Sequence, residues 1–237
     1  MSSRLSLQRR LWTASLWPAG IAVTSWDYMW RTTPLHRSEQ SGGAEDLPPT
    51  LSDAAFADDV QRMEDGTGPL FHRLYRARIR DARLSPEELI GCLGADPNRA
   101  TPTALARFLK VRGEDGRLAV GDELVGRMPG PGDGPVRVTS AGPDSFRFTT
   151  LAGHLEAGQI EFRAARTGGI LCFEIESWAR SADRLSNLLY NHLRMAKEVQ
   201  LHMWASFLER VARLAGGRLT GGVEIVSRKV QDPLAFA

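Results

Sequence analysis

The second half of the sequence constrains the fold most, because a series of short strand-like segments is followed directly by one long amphipathic helix. Short alternating runs extend over residues 118–179, and a helical pattern then continues over residues 182–215. A strand places its side chains on two faces with period two, whereas a helix collects apolar side chains on one face with period 3.6. Each type of element therefore offers the other an apolar surface, and we expect a curved sheet closed by the helix, with a hollow interior between them.

Upstream of these runs, the pattern predicts one more strand and two short helices. Apolar and polar side chains alternate over residues 70–83, which predicts a first strand with one buried and one solvated face. Ser85 and Glu88 have the types and the spacing of a capping box, so a short helix is expected to run from there to about residue 93. Residues 103–111 are expected to form the second short helix.

The strand-rich half is expected to hold five strands, joined by the Gly-, Pro- and Asp-rich turns that are typical of antiparallel neighbours. These strands are predicted near residues 118–127, 136–140, 146–151, 159–165 and 170–178, and a further extended segment near 223–230. The sequence therefore predicts an α+β fold, a curved antiparallel sheet of six to seven strands around a long C-terminal helix.

The predicted organisation has four parts. Residues 1–35 form a Trp-rich N-terminal arm, 36–66 a polar linker, 67–217 the sheet-and-helix domain, and 218–237 a C-terminal tail that can add an extra strand.

The arm holds four of the six Trp residues behind several Arg residues, but it lacks the cleavage site of a secretory signal. Pro18, Gly20 and Asp27 interrupt its apolar stretch, which argues against a membrane-spanning helix. We favour an arm that packs on the domain or on a second copy of the chain. Peripheral contact with a membrane surface is the alternative.

Composition argues against several classes of protein. Basic and acidic residues number 30 and 28, so the charge gives no case for a nucleic-acid partner. Cys92 and Cys172 lack the spacing of a zinc site or a disulfide framework, and we expect a cytoplasmic location, with membrane association through the arm as the alternative. A single disulfide between them stays open. The histidines are scattered and no nucleotide-binding glycine motif occurs, so we expect no metal and no cofactor.

Two stretches of the strand-rich half resemble a known family. Residues 129–138 read PGPGDGPVRV, and residues 146–162 read FRFTTLAGHLEAGQIEF. Both resemble a bacterial and plant family of unknown function, DUF1990, which is similar to the helix-grip proteins of the Bet v 1 and START-like superfamily. The resemblance is good over residues 121–214 and rests on pattern alone over 70–116. The family's Gly-His-Pro-Glu core stands here as Gly153, His154, Leu155 and Glu156.

The resemblance implies a protein that holds a hydrophobic small molecule or a lipid in a cavity between the sheet and the long helix. An apolar pocket with a few convergent polar groups is the usual form of such a site. The expected lining residues are Tyr75, Phe146, Phe148, Phe162, Phe173, Ile175, Leu189, His192, Met203 and Phe207. The alternative is that all of them fill a solid core.

Two further hypotheses concern function. One is an enzyme of the cyclase or hydratase kind, with His192, His154 or Glu156 as the acid or base inside the same cavity. Structural roles are favoured for these three, since a buried imidazole needs a hydrogen-bond partner and a polar pair in a loop often binds the backbone. The other is a structural or regulatory module whose arm docks a partner or a membrane surface.

Overall fold

The computed structural model describes residues 33–51, 59–102, 106–127, 134–182, 195–231 and 233–235, with the backbone alone for 195–199 and 235. Most of the N-terminal arm lies outside the described residues. The first part of the predicted long helix, with Leu189 and His192, lies outside them as well.

The described residues form one nine-stranded sheet and two α-helices. The strands are β1 (Leu35–Ser41), β2 (Thr67–Arg80), β3 (Arg107–Arg112), β4 (Glu123–Arg127), β5 (Gly134–Ala141), β6 (Ser145–Thr150), β7 (Glu156–Thr167), β8 (Ile170–Ser181) and β9 (Arg218–Val230). The helices are α1 (Pro86–Ala95) and α2 (Met195–Leu214). Three-residue 3-10 turns include Ala44–Asp46, Met63–Asp65 and Pro97–Arg99.

The strands lie in the order β1-β9-β2-β8-β7-β6-β5-β4-β3. Strands β3 to β8 form an antiparallel meander, and β2 pairs with β8 on one side and with β9 on the other. Helix α2 contacts β2, β8 and β9. We call the face of the sheet that packs against α2 the inner face.

The core lies between the inner face and α2. Every second residue of β2 contributes to it, namely Tyr75, Ala77 and Ile79, which are all at most 2 % exposed. At its centre, Phe146 and Phe148 of the sheet pack on Phe162, and Phe162 packs on Trp204 and Phe207 of the helix, with ring centroids 4.9 to 5.9 Å apart. Tilted and edge-to-face pairs of this kind add about 0.5–1.5 kcal/mol each beyond the area they bury.

The outer face carries a chain of ion pairs. Arg163 binds Glu174 at 2.6 Å and Glu176 at 2.5 Å, and Glu174 also pairs with Arg76. Arg76 and Arg78 of β2 also pair with Glu224 of β9, so acidic side chains of both neighbouring strands offset the charge of these two residues.

The sheet is mixed and larger than the predicted antiparallel sheet of six to seven strands. The segment predicted as a linker supplies β1, which lies parallel to β9 with Leu35 opposite Val223 and Ser41 opposite Lys229. Apart from Leu35, the residues of β1 are exposed, so no apolar alternation indicates a strand in the sequence. Backbone pairing at the free edge of β9 holds this strand in place.

The predicted second helix over residues 103–111 is wrong, because strand β3 occupies Arg107–Arg112. Its short apolar-polar run fits either type of element, and long-range pairing decides the outcome. Strand β3 pairs with β4, and the side chain of Asn98 binds both backbone groups of Phe108 at 2.8 Å.

The predicted start of the first helix is confirmed. Ser85 Oγ accepts a hydrogen bond from the Glu88 backbone N–H at 3.2 Å, and the Glu88 carboxylate accepts one from the Ser85 N–H at 2.7 Å. These reciprocal bonds satisfy two backbone donors that a helix start otherwise leaves unpaired.

Candidate functional site: a cavity between the sheet and the second helix

A cavity of about 100 Å³ lies between the inner face of the sheet and the described start of α2. Its walls are mainly apolar and come from β3 to β8 and from α2, with Phe108, Val136, Phe148, Ile160, Phe162, Met203 and Trp204 as the large apolar side chains. Polar residues also line it, namely Thr150, His154, Glu156, Gln159, Ser177 and Gln200.

The structure divides the predicted lining residues between cavity and core. Phe148, Phe162 and Met203 line the cavity. Five others lie in the adjoining packed core, namely Tyr75, Phe146, Phe173, Ile175 and Phe207. Leu189 and His192 fall outside the described residues, so their predicted roles stay predictions.

His154 and Glu156 lie where the turn after β6 enters β7, and backbone bonds fix their geometry. The Glu156 nitrogen lies 2.9 Å from Nδ1 of His154, and the His154 N–H donates to the Leu151 carbonyl at 3.0 Å. Gln61 donates to the carbonyl oxygens of both His154 and Glu156, at 3.1 and 2.8 Å. Their bonds within the turn are thus structural, as favoured above, although both residues also line the cavity.

The tautomer and the charge of the His154 ring depend on these contacts and on burial. Nδ1 of His154 lies 2.9 Å from the Glu156 nitrogen and 3.0 Å from the Glu156 carbonyl oxygen, so it accepts from the first or donates to the second according to the tautomer. Burial lowers the pKa of His154 below its ordinary value, although the Glu156 carboxylate opposes this. The ring is therefore neutral at neutral pH.

A polar relay joins β2, α2 and β7 at the end of the cavity. Arg73 donates from Nη1 to Oε1 of Gln200 at 3.1 Å, and Gln200 Nε2 lies 3.5 Å from Oε2 of Glu156. The guanidinium of Arg73 also lies 4.8 Å from the centroid of the Phe71 ring. Arg73 and Tyr75 thus belong to the inner face, whereas Glu174 and Glu176 belong to the outer face.

Trp204 is a cavity residue that the sequence pattern did not single out. Its ring packs edge-on against Phe162 and Phe207, and the residue is 6 % exposed. Its buried Nε1 has no hydrogen-bond partner among the described residues. The spacing of Trp204 with Phe207, Leu208 and Val211 is the i, i+3, i+4, i+7 signal that could have found it.

A second polar cluster, also missed, lies on the outer face, away from the cavity. His72 binds Asp46 through Nδ1 and Glu176 through Nε2, both at 2.7 Å, and its ring stacks on Trp178 at 5.2 Å. Burial alone would lower the pKa of His72, but the bonds to Glu176 and Asp46 outweigh it and raise the pKa above its ordinary value. All four side chains of this cluster are buried or half-buried, which indicates a structural role.

The described residues give little support for a metal site, a disulfide or a membrane-spanning helix. No group of three or more His, Cys, Asp and Glu side chains in them is placed to hold a metal ion. Cys92 and Cys172 are both free thiols. Neither helix of the described chain has the length and apolar character needed to cross a membrane.

Comparison with known protein families finds a match to part of the chain. Residues 103–210 match the family described as Domain of unknown function (DUF1990). They span a little under half of the chain's 237 residues, from the segment before β3 into α2. No curated protein matches the sequence.

Solved structures give distant likenesses. Major latex-like protein 151 from Panax ginseng is 15% identical, with a TM-score of 0.39, over 56% of this chain and 97% of its own. Ara h 8.0201 is 10% identical, with a TM-score of 0.40, over 61% and 97%. A protein from Thermus thermophilus is 13% identical, with a TM-score of 0.44, over 60% and 98%. Likenesses this distant carry no information on ligand or activity. What the comparisons establish is that residues 103–210 of this chain resemble the DUF1990 family, as the sequence motifs predicted.

Proposed function

We propose that the chain binds a small, mostly apolar molecule in the cavity between the inner face of the sheet and α2. The proposal rests on the cavity itself, since protein interiors are normally packed without voids larger than a water molecule. Mainly apolar walls with a few polar groups are the usual composition of a ligand site. The antiparallel part of the sheet, β2 to β9, packs against the long helix α2, and this resembles the arrangement of the helix-grip proteins, to which we assign the fold.

The volume of the cavity limits the size of the ligand that it can hold. Sites for drug-sized molecules measure about 300–1,000 Å³, whereas the described walls enclose about 100 Å³. An engineered apolar cavity of about 150 Å³ is known to bind benzene. A single ring or a short branched chain therefore suits this space better than a lipid.

The other hypotheses stay predictions. The enzyme hypothesis named His192, His154 and Glu156, and His192 lies outside the described residues. The docking hypothesis relied on the N-terminal arm, most of which also lies outside them.

The first test is native mass spectrometry of the full chain, followed by solvent extraction and identification of whatever co-purifies. We expect one reproducible small apolar compound at up to one molecule per chain. A protein that is reproducibly empty, and that takes up no small ring compound when incubated with it, would contradict the proposal.

A variant that fills the cavity makes this test specific. Gly126 lines the cavity, and a Cβ built there meets its nearest neighbour, the Phe108 ring, at an ordinary 3.5 Å. Gly126→Val should occupy part of the cavity and abolish the co-purifying mass, and the chain should still fold because Val suits a strand. The matched control is Gly91→Ala at an exposed position of α1, where an added Cβ meets nothing within 4 Å. This control should keep the ligand.

A further inference from the structure

Ser177 places a hydroxyl group on the wall of the cavity. It lies in β8, between its register partners Arg73 of β2 and Ile160 of β7, and it is 6 % exposed. Side chains alternate along a strand, so Ser177 shares the inner face with Phe173 and Ile175 of the core. Its position in the strand therefore directs the hydroxyl into the cavity, which Ser177 lines.

The Ser177 hydroxyl can be reached from the cavity. In the described part of the chain it makes no hydrogen bond to a side chain or to the backbone. Unlike the indole nitrogen of Trp204, its oxygen is not among the unpaired atoms that are closed to water. Because β8 lies between β2 and β7, and α2 packs on the inner face, the open surface of this oxygen belongs to the cavity. Buried polar groups are almost always paired, and this exception calls for an explanation.

The polar neighbours of Ser177 decide what kind of ligand group fits. Arg73 lies opposite Ser177 in the next strand and donates to Gln200, whose amide nitrogen lies 3.5 Å from Oε2 of Glu156. Arg73 and Glu156 bring one positive and one negative charge to this end of the cavity, so charge alone does not select the ligand. The Ser177 hydroxyl both donates and accepts hydrogen bonds, whereas the Glu156 carboxylate only accepts. The group that suits such a mixture is one that also donates and accepts.

We infer that the ligand of this cavity carries a hydroxyl group, which exchanges hydrogen bonds with Oγ of Ser177. This inference rests on the proposed function and narrows its ligand from small apolar molecules in general to small alcohols and phenols. A carbonyl or ether oxygen only accepts, so it pairs with the Ser177 proton but gives the acceptors at this end no donor. Ser177 is a binding residue in this account, and Phe148, Phe162 and Met203 provide apolar walls around the rest of the ligand.

Three ring compounds of similar size test the inference. Cyclohexanol carries a hydroxyl group, cyclohexanone carries a carbonyl oxygen that only accepts, and methylenecyclohexane carries a CH₂ group that does neither. Each is titrated into the full chain labelled with ¹⁵N, and its Kd is measured from the backbone amide shifts followed by NMR. Gly126→Val, which occupies part of the cavity, identifies the shifts that arise from binding there.

Ser177→Ala removes the hydroxyl group and keeps the rest of the strand. Because this hydroxyl has no hydrogen-bond partner in the described chain, the variant should unfold at the same urea concentration as the wild type. The matched control is Ser227→Ala. Ser227 of β9 is paired with Arg73 on the other side of β2, so it lies in the same row of the inner face, but it does not line the described cavity.

We expect the wild-type chain to bind all three compounds. Cyclohexanol should bind at least about threefold more tightly than cyclohexanone, because it alone donates as well as accepts. Ser177→Ala should weaken cyclohexanol by about threefold to tenfold, the range of one net hydrogen bond, and methylenecyclohexane by less than about twofold. Ser227→Ala should change none of these affinities.

The opposite outcomes are distinguishable. If the compounds bind but Ser177→Ala weakens cyclohexanol no more than methylenecyclohexane, or if cyclohexanone binds as tightly as cyclohexanol, the inference is overturned while the proposed function survives. If Ser177→Ala clearly lowers the urea midpoint, the hydroxyl has a structural role, and the inference is overturned as well. If none of the compounds binds up to its solubility limit, the cavity does not admit a ring of this size, and the proposed function fails together with the inference.

Discussion

His72 connects the turn at Ala44–Asp46 to the outer face of the sheet through two carboxylates. Asp46 is 2 % exposed and Glu176 is half-buried, so the imidazolium and its partners form a largely desolvated cluster. Arg228 lies 3.6 Å from Asp46, and Arg163 binds Glu176, which completes the charge balance. Removing one partner from such a cluster leaves a buried charge unpaired, at a cost of about 3–5 kcal/mol.

The cluster predicts how stability depends on pH. The pKa of His72 is raised above its ordinary 6.5, so its stabilising contribution is complete below that value and is lost as the pH rises through the folded-state pKa. Burial alone would raise the pKa of Glu176, but the bond from His72 and the charge of Arg163 lower it. The Glu176 contribution is therefore complete above 4.5 and is lost at lower pH.

Urea unfolding at a series of pH values from about 3.5 to about 9 checks this prediction. The free energy of unfolding should be highest between about pH 4.5 and 6.5 and should fall on both sides. His72→Gln removes the cation between the two carboxylates, so it should cost about 3–5 kcal/mol at low pH and flatten the alkaline side. His36→Gln on exposed β1 is the control and should leave the profile unchanged. If the free energy of unfolding of His72→Gln falls at alkaline pH as steeply as that of the wild type, groups other than His72 cause the fall.

The cluster also shows which contacts of a single residue cannot be predicted from the sequence. The alternation in β2 correctly places His72 on the face opposite Tyr75. Its partners lie 26 and 104 residues away along the chain, and no local pattern connects them. Trp204 differs, since helical spacing could have placed it on the buried stripe, although not its unpaired N–H.

At the scale of secondary-structure elements, the sequence predicts a helix or a strand well where particular residues mark its ends. The capping box at Ser85 and Glu88 fixes the start of α1, and the glycine-rich turns separate the antiparallel strands of the meander. Strands β1 and β3 lack such signals. Their pairing with β9 and β4 determines their conformation, and pairing across the sheet cannot be deduced from a short window of sequence.

Asn98 provides a test of what holds β3 in place. Its side-chain oxygen accepts from the Phe108 N–H and its amide donates to the Phe108 carbonyl, which fastens the Pro97–Arg99 turn to the strand. Asn98→Ala should destabilise the chain by about 1–3 kcal/mol, since both groups of Phe108 lose their partner. Asn98→Asp keeps only the acceptor and should fall between wild type and Asn98→Ala. Urea unfolding measures all three, and equal stabilities would show that pairing with β4 alone suffices.

At the scale of the whole molecule, the sheet and α2 form both a packed core and a cavity. Tyr75, Phe173 and Phe207 fill the space beside β2 and β8, whereas Phe148, Phe162 and Met203 border the open part beside β3 to β7. The sequence predicted that these side chains face inward, because period and pattern set the face. It could not predict which of them would leave space between them, because that depends on how the two layers fit together.

The most direct test of the proposed binding cavity is the thermal unfolding of the wild type and of Gly126→Val, each measured at increasing concentrations of methylenecyclohexane, a small apolar ring compound. A ligand that binds only the folded state raises its stability by RT ln(1 + [L]/Kd). We predict that the unfolding midpoint of the wild type rises with probe concentration while that of Gly126→Val stays constant. A midpoint that does not move in the wild type, or that rises equally in both proteins, would contradict the account that this cavity is a binding site.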